Sequence, residues 1–295
     1  MHKPAAGLLF FPPFSIMLFS MDIKLIATDL DCTLLDARKQ LSEGNKEALL
    51  LAGERGIEFV PATGRLFATI PEDVKALPCM HYAIVINGAQ VRETATGHVI
   101  YDALIPLKTA LEIFRFLDDK PVVYDCYFRD SAYMTASMYE KARDYFADDL
   151  NYEVLRRSRR PVPELKAMLA AEDSPLQKLQ LFTADTALKA SLLAELQRRW
   201  PALSIVTSTP TNIEMTSGDA TKGKALEKLA EHLSLRKEEV MAFGDDVNDV
   251  SMLEAAGLGI AMENAKPEVL KNAGFVTLHH DKDGVAYGIR RFCGL

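Results

Sequence analysis

Long apolar runs, paired cysteines and an excess of positive charge are all missing from this chain of 295 residues. The four cysteines, Cys32, Cys79, Cys126 and Cys293, show no C-x-x-C spacing. That argues against a zinc site and a disulfide framework and fits a reducing cytoplasm. The formal net charge is -7 and the pI about 5.5, so nothing marks a non-specific nucleic-acid binder. The most apolar stretch, Leu8 to Phe19, is broken by Pro12-Pro13 and is too short to span a bilayer. It follows a weakly basic start at Lys3, as a secretion signal would, but no A-x-A cleavage site precedes Met21. We therefore read residues 1–20 as an N-terminal extension and Met21 as the expected natural start. No internal repeat or low-complexity run is visible.

What is present is ordinary for a globular protein, 48% hydrophobic and 25% charged residues. The length allows one large core or two lobes. The chain is organised around Ile23 to Leu35, IKLIATDLDCTLL. Its apolar start suits a strand buried on both faces, as in a parallel sheet. Asp29 and Asp31 then emerge at the strand's C-terminal end, where open α/β sheets place their ligands. Two carboxylates in one tight turn repel each other unless a cation or a shared proton lies between them. Oxygen ligands favour Mg²⁺. Taken alone, the same turn reads equally well as an acidic surface loop.

Downstream, Ser42 is expected to cap a helix that runs to about Arg55 and ends at Gly56. Ile57 to Val60 reads as a strand leading into Pro61-Ala62-Thr63-Gly64-Arg65, then a helix interrupted by Pro71. Tyr82 to Ile86 reads as a third buried strand, closed by Asn87-Gly88-Ala89. Three β-α units in order predict a parallel α/β sheet. A hairpin around Thr96-Gly97 follows. Mixed helical and strand patterns then run to about residue 206, so residues 90–206 are expected to be an inserted α+β domain. The α/β pattern resumes near Thr211. A helical stripe opens at Lys222, and the strand Val240 to Phe243 ends in Gly244-Asp245-Asp246-Val247-Asn248-Asp249. A last helix is expected over Val285 to Phe292. The basic run Arg156, Arg157, Arg159 and Arg160 reads as a solvated loop. Tyr124, Asp125, Tyr127 and Arg129 read as a half-exposed strand.

Polar groups thus fall where strands end or helices begin: Asp29 and Asp31, Thr63, Lys222, and Asp245 with Asp249. With a helix start near Asp246, the last two lie one turn apart on one face. Gly64 and Gly88 let backbone amides approach an anion. Such a set suits phosphoryl transfer, which needs a nucleophile, positive charge on the equatorial oxygens and a proton for the leaving group. Each residue also has a plain structural reading, Thr63 as a helix cap, Lys222 as a surface lysine and Asp249 as a first-turn charge. Those readings do not explain the ordered set.

The order DLDCTLLD, PATGR, insertion, TKGKAL, GDDVND resembles the haloacid dehalogenase (HAD) superfamily of phosphatases. More closely it is similar to the Cof-type branch, subclass IIB with a C2 cap, and the likeness covers nearly the whole chain from Met21. The resemblance implies a Rossmann-like parallel-sheet core, residues 21–89 and 207–295, with an inserted α+β cap, residues 90–206. It implies Asp29 as nucleophile and Asp31 as general acid/base. Thr63 and Lys222 would hold the phosphate. Mg²⁺ would sit on Asp29, Asp245 and the Asp31 backbone carbonyl, with Asn248 and Asp249 supporting the phosphate and metal shells. Gly64, Arg65 and Asn87 would line the substrate side. Cys32 stands where the family usually has glycine; with Thr33 and both aspartates intact, an ordinary backbone is expected there. The implied activity is Mg²⁺-dependent hydrolysis of small phosphorylated metabolites. Sugar phosphates come first, with pyridoxal phosphate, flavin mononucleotide and pyrimidine phosphates behind. Neither nucleic acid nor membrane is an expected partner, and the oligomeric state is open between monomer and dimer. A phosphomutase-type phosphotransferase is the alternative, and a silent metabolite-binding regulator is a third. The Asp29–Asp31 pair speaks against silence, because a pure binder does not need both.

Overall fold

The computed structural model describes residues 22–146 and 149–295, so the expectation for residues 1–20 lies outside the described residues. The chain opens with β1 (Leu25–Thr28), a wide turn over Leu30–Leu34, α1 (Glu43–Glu54), β2 (Glu58–Pro61) and the short α2 (Glu72–Lys75). Then come β3 (Tyr82–Val85), β4 (Gln90–Glu93) and β5 (Val99–Asp102). A second unit follows: α3 (Leu107–Leu117), β6 (Val123–Phe128), β7 (Ser131–Thr135), α4 (Ala136–Lys141), α5 (Asp149–Ser158), β8 (Arg159–Val162), α6 (Leu165–Glu172), β9 (Lys178–Phe182), α7 (Thr186–Arg199), β10 (Leu203–Val206) and β11 (Asn212–Ser217). The chain closes with α8 (Lys222–His232), β12 (Val240–Gly244), α9 (Val250–Ala255), β13 (Leu258–Ala261), α10 (Pro267–Asn272), β14 (Phe275–Val276) and α11 (Gly284–Cys293).

The first sheet is five-stranded and wholly parallel, in the order β14-β13-β12-β1-β2. Its strands read as apolar runs because both faces are covered. Leu25 and Ala27 of β1 pack with Leu226 and Leu229 of α8 and with Met252 and Leu253 of α9. Ile26, pointing the other way, packs with Leu49 of α1 and Ile289 of α11. Alternate residues of one strand therefore serve two helical layers, each large side chain contributing about 1.5–3 kcal/mol of burial. The helix ends follow local chemistry. Ser42 accepts from the Asn45 amide at the start of α1, and Thr221 accepts from Lys224 at the start of α8.

β3 departs from the expected third parallel strand. It pairs antiparallel with β4, and β4 with β5. Beside β2 it runs parallel, joined just past that strand's end by a bridge between Ala62 and Ile84 and by the Thr63 amide donating to the Ile84 carbonyl at 2.9 Å. The cause is local: Ile86, Asn87 and Gly88 all take positive φ, 55°, 57° and 92°. The chain reverses at once, leaving no length for a crossover helix. The helix expected after Gly64 is one 3-10 turn, Phe67–Thr69, followed by the short α2 beyond Pro71.

The second sheet has six strands in the order β10-β11-β9-β6-β7-β8, antiparallel except for β7 with β8. One face packs Tyr124, Cys126, Leu179, Leu181, Ile213 and Met215 against α3, α6 and α7. The expected boundary at 90 cuts through the three-stranded sheet β3-β4-β5, and that at 206 through the six-stranded one. The β4–β5 hairpin pairs with β3 and packs on α8, so it stays with the unit that holds the parallel sheet. β11 belongs to the six-stranded sheet, so the α/β pattern resumes after Ser217, not near Thr211. The basic run is not a solvated loop either. It closes α5 and forms β8, and Arg159 is buried in an ion pair with Asp125 at 2.8 Å. Asp125 and Tyr127 are buried rather than half exposed.

Candidate active site

β1, β2 and β12 end side by side, and their C-terminal ends carry Asp29, Thr63 and Asp245. Asp29 is pinned through its amide to the Phe243 carbonyl of β12, at 3.0 Å. Its Oδ1 accepts from Lys222 Nζ at 2.7 Å, and the same ammonium donates to Asp249 Oδ1 at 2.5 Å. Lys222 is therefore a buried bridge rather than a surface residue. Its position follows from two close backbone approaches. Gly88 faces the residue before the helix, where a Cβ would lie 2.2 Å from the Thr221 carbonyl oxygen. Gly244 lies against Asp249, where a Cβ would fall 2.4 Å from that side chain. Any other residue at these places would push the loops apart.

Asp249 is fully buried, and its other oxygen accepts from the amides of Asp245 and Asp246, at 2.9 and 3.0 Å. Asp245 in turn accepts from Thr33 Oγ1 at 2.6 Å. Ligand atoms of Asp29, Asp245 and Asp249 lie within 4.8 Å of one another. Three carboxylates share one ammonium, so two negative charges stay unbalanced in a buried place. Burial pushes the Asp29 carboxyl up, against the opposing pull of Lys222, and the neighbouring Asp249 adds to the rise. Burial also pushes Asp245 up, to about 6; the Thr33 hydrogen bond opposes this and Asp249 adds to it. An all-oxygen, doubly anionic set of this size fits a hard divalent cation such as Mg²⁺.

Asp31 sits apart from that cluster. Arg65 grips its carboxylate in a fork, Nη2 at 2.7 Å and Nε at 2.8 Å, and Lys39 Nζ adds a contact at 2.8 Å. Burial acts to raise its pKa, but Arg65 and then Lys39 outweigh it and hold the carboxyl at about 2. Arg65, expected on the substrate side, is thus spent on Asp31, and its Nη1 also donates to the Thr69 carbonyl at 3.1 Å. Thr63 is buried. Its Oγ1 accepts from the Arg65 amide at 3.2 Å, which leaves its hydroxyl proton free to donate. Asn87 lies against Gly64 and accepts from Asn248 Nδ2 at 3.0 Å.

Cys32 corrects one expectation. Its φ is 60° and ψ 15°, the left-handed region, not an ordinary backbone. The turn that lifts Asp31 away from Asp29 therefore carries about 1–2 kcal/mol of strain. It is held by Asn264 Nδ2, which donates to the Cys32 carbonyl at 2.9 Å. Burial raises the Cys32 thiol pKa, which speaks against a reactive thiolate. Sequence reasoning assigned no role to Thr33, Lys39 or Asn264. Thr33 lies inside the quoted motif, and Asn264 follows the end of β13, where the strand-end rule points. Nothing in the sequence marks Lys39.

A family model described as haloacid dehalogenase-like hydrolase matches residues 26–289. The chain belongs to that family. Phosphatase YwpJ of Bacillus subtilis is 33% identical over 287 residues, covering 90% of this chain and 98% of its own. From the same bacterium, 5-amino-6-(5-phospho-D-ribitylamino)uracil phosphatase YcsE is 29% identical, covering 94% and 99%. Among solved structures, TM0651 from Thermotoga maritima superposes with a TM-score of 0.77 at 28% identity, covering 91% of this chain and 97% of that one. This family member is an enzyme of the Cof-type phosphatase branch, with the parallel-sheet fold of that branch. Among the described residues, no helix is long and apolar enough to cross a membrane.

Proposed function

We propose that this HAD-family phosphatase is Mg²⁺-dependent and hydrolyses small phosphorylated metabolites, sugar phosphates foremost, through an aspartyl-phosphate on Asp29. The observation that carries the reading is the buried bridge from Asp29 through Lys222 to Asp249, set beside Asp245 and Thr33. Asp29 and Asp245 would hold the metal, together with the Asp31 carbonyl. Both oxygens of Asp249 are engaged by Lys222 and two amides, so its part is to orient the lysine and the loop. The bound ion supplies positive charge that offsets the repulsion between nucleophile and phosphate.

In the first step an Asp29 carboxylate oxygen attacks phosphorus and the bond to the leaving oxygen breaks. Asp31, protonated, gives its proton to that oxygen. In the second step Asp31 takes a proton from water, whose oxygen attacks phosphorus, and the bond to Asp29 breaks to release phosphate. Lys222 and the Thr63 hydroxyl stabilise the equatorial oxygens. The resting Arg65–Asp31 fork holds Asp31 ionised, so that fork must loosen before the first step.

We read residues 104–217 as the cap. The outgoing connection leaves β5 beside Ala89 and Gln90, next to Asn87, and the return runs into α8 at Lys222. A domain tethered there would cover the site, exclude water and admit only small phosphomonoesters. The test is phosphate release from a metabolite panel, with and without EDTA, for the wild type and Asp29→Asn. Metal-dependent release lost by several orders of magnitude in the variant supports the reading. Near-native turnover by Asp29→Asn sinks it.

A further inference from the structure

Between the core hairpin and the cap lies a contact that the proposed chemistry leaves unused. Arg92 on β4 pairs through Nη1 with Asp130, in the turn between β6 and β7. That turn has two residues, Arg129 and Asp130, at φ 46° and 57°. Both are in the left-handed region, where glycine or asparagine is the easy choice. Gln177 over-determines the strained turn: its Oε1 accepts from the Asp130 amide at 3.0 Å and its Nε2 donates to Asp130 Oδ1 at 2.9 Å. The carboxylate is thus aimed before it meets Arg92. Arg92 Nε is buried without an acceptor among the described residues, a cost the site retains. The guanidinium also lies over the Phe67 ring, 4.6 Å from its centroid. Phe67 opens the 3-10 turn that ends at Thr69, whose carbonyl accepts from Arg65. Arg65 forks Asp31.

We infer that Arg92 is a positioning residue that ties the placement of the cap to the aim of Asp31, through Phe67, the 3-10 turn and Arg65. The inference rests on Asp31 being the general acid. A fork releases a carboxylate in a defined direction only if the arginine itself is held, and Arg65 is held by a turn that Arg92 clamps from the core hairpin while Asp130 of the cap holds Arg92. Loss of Arg92 leaves the phosphate site around Lys222 untouched, because among the described residues its side chain bonds Asp130 and covers Phe67, away from that cluster. What it disturbs is the direction of proton delivery. A misplacement of about 1 Å can cost as much as ~10²-fold.

The experiment compares kcat/KM for an alkyl phosphate, whose leaving oxygen needs a proton, with p-nitrophenyl phosphate, whose leaving group does not. The variants are Arg92→Met, Asp130→Asn, Phe67→Leu, the Arg92→Met/Phe67→Leu double and Asp31→Asn as control. Asp130→Asn serves should Arg92→Met fold poorly, since it keeps the Gln177 contacts and loses only the charge. We expect Arg92→Met to lose about 10-fold to 100-fold on the alkyl phosphate and under about twofold on p-nitrophenyl phosphate. The double variant should lose no more than the worse single. Equal losses on both substrates, or additive losses in the double, overturn the inference while leaving Asp31 as the acid, provided the control discriminates. A control that loses equally on both substrates removes the acid assignment, and this inference with it.

Discussion

Replacing Lys222 with methionine keeps most of the side-chain volume and removes the ammonium between Asp29 and Asp249. The lysine is 1% exposed and holds both carboxylates, at 2.7 and 2.5 Å. Breaking a buried ion pair from one side typically costs 3–5 kcal/mol, because the partner charge is stranded. Here two carboxylates are stranded beside a third. We therefore expect Lys222→Met to lose about 3–5 kcal/mol of folding free energy at pH 8 in EDTA. Burial already pushes the Asp29 carboxyl up, and losing the lysine removes the pull that opposes this, so the penalty of leaving Asp29 ionised is smallest at low pH and grows as pH rises. The loss should shrink at pH 5. Saturating Mg²⁺ should restore part of it, as any ligand of the native state does. Urea unfolding of wild type and variant at the two pH values, with EDTA or Mg²⁺, reads all three effects. A variant within about 1 kcal/mol of wild type at pH 8 in EDTA would refute the view of this bridge as a buried, charge-balancing contact.

Three further outcomes follow from the site. Cys32→Gly should stabilise the fold by up to about 1 kcal/mol, because glycine takes φ 60° without strain. It should leave peroxide sensitivity unchanged, and a loss of stability on urea unfolding would contradict the strain. Asp245 stands at about 6 in the metal-free fold against an ordinary 3.8. Its contribution is therefore fully present below about 4 and lost as pH rises through 6. Metal-free protein should gain stability as pH falls from 7 to 5, an effect that saturating Mg²⁺ removes; the same slope with and without the ion would count against Asp245 as a ligand. A folded phosphoprotein should be a far poorer substrate than a small phosphomonoester at matched concentration. Comparable kcat/KM values would remove the cap as a size filter.

The parts of the molecule legible in the sequence are those whose cause is local. β1 and β12 are apolar runs buried on both faces, Ser42 is a cap with its partner three residues on, and α3 has a clear helical stripe. Asp29, Thr63 and Asp245 stand at strand ends and Lys222 opens a helix, the places the sequence pattern put them. What was not legible depends on partners far away in the chain. The reversal at Ile86, Asn87 and Gly88 turned an expected parallel unit into a meander, because a β-branched residue at positive φ has no sequence signature. β11 reads as a strand in either domain, and only its pairing with β9 decides which. Arg65 and Lys39 converge on Asp31 from separate loops. Arg159 sits in a run of arginines that looks solvated until Asp125 is found beside it.

Under the proposed mechanism Asp29 becomes phosphorylated and Asp31 moves the protons. The most direct measurement is stopped-flow release of nitrophenolate from p-nitrophenyl phosphate by Asp31→Asn with Mg²⁺, followed by rapid acid quench and peptide mass analysis. The first step needs no proton for this leaving group, and the second lacks its base. The expected result is a burst of about one nitrophenolate per active site, slow turnover afterwards, and a phosphoryl group on the peptide bearing Asp29. Steady release without a burst, and an unmodified Asp29 peptide at every quench time, would contradict it.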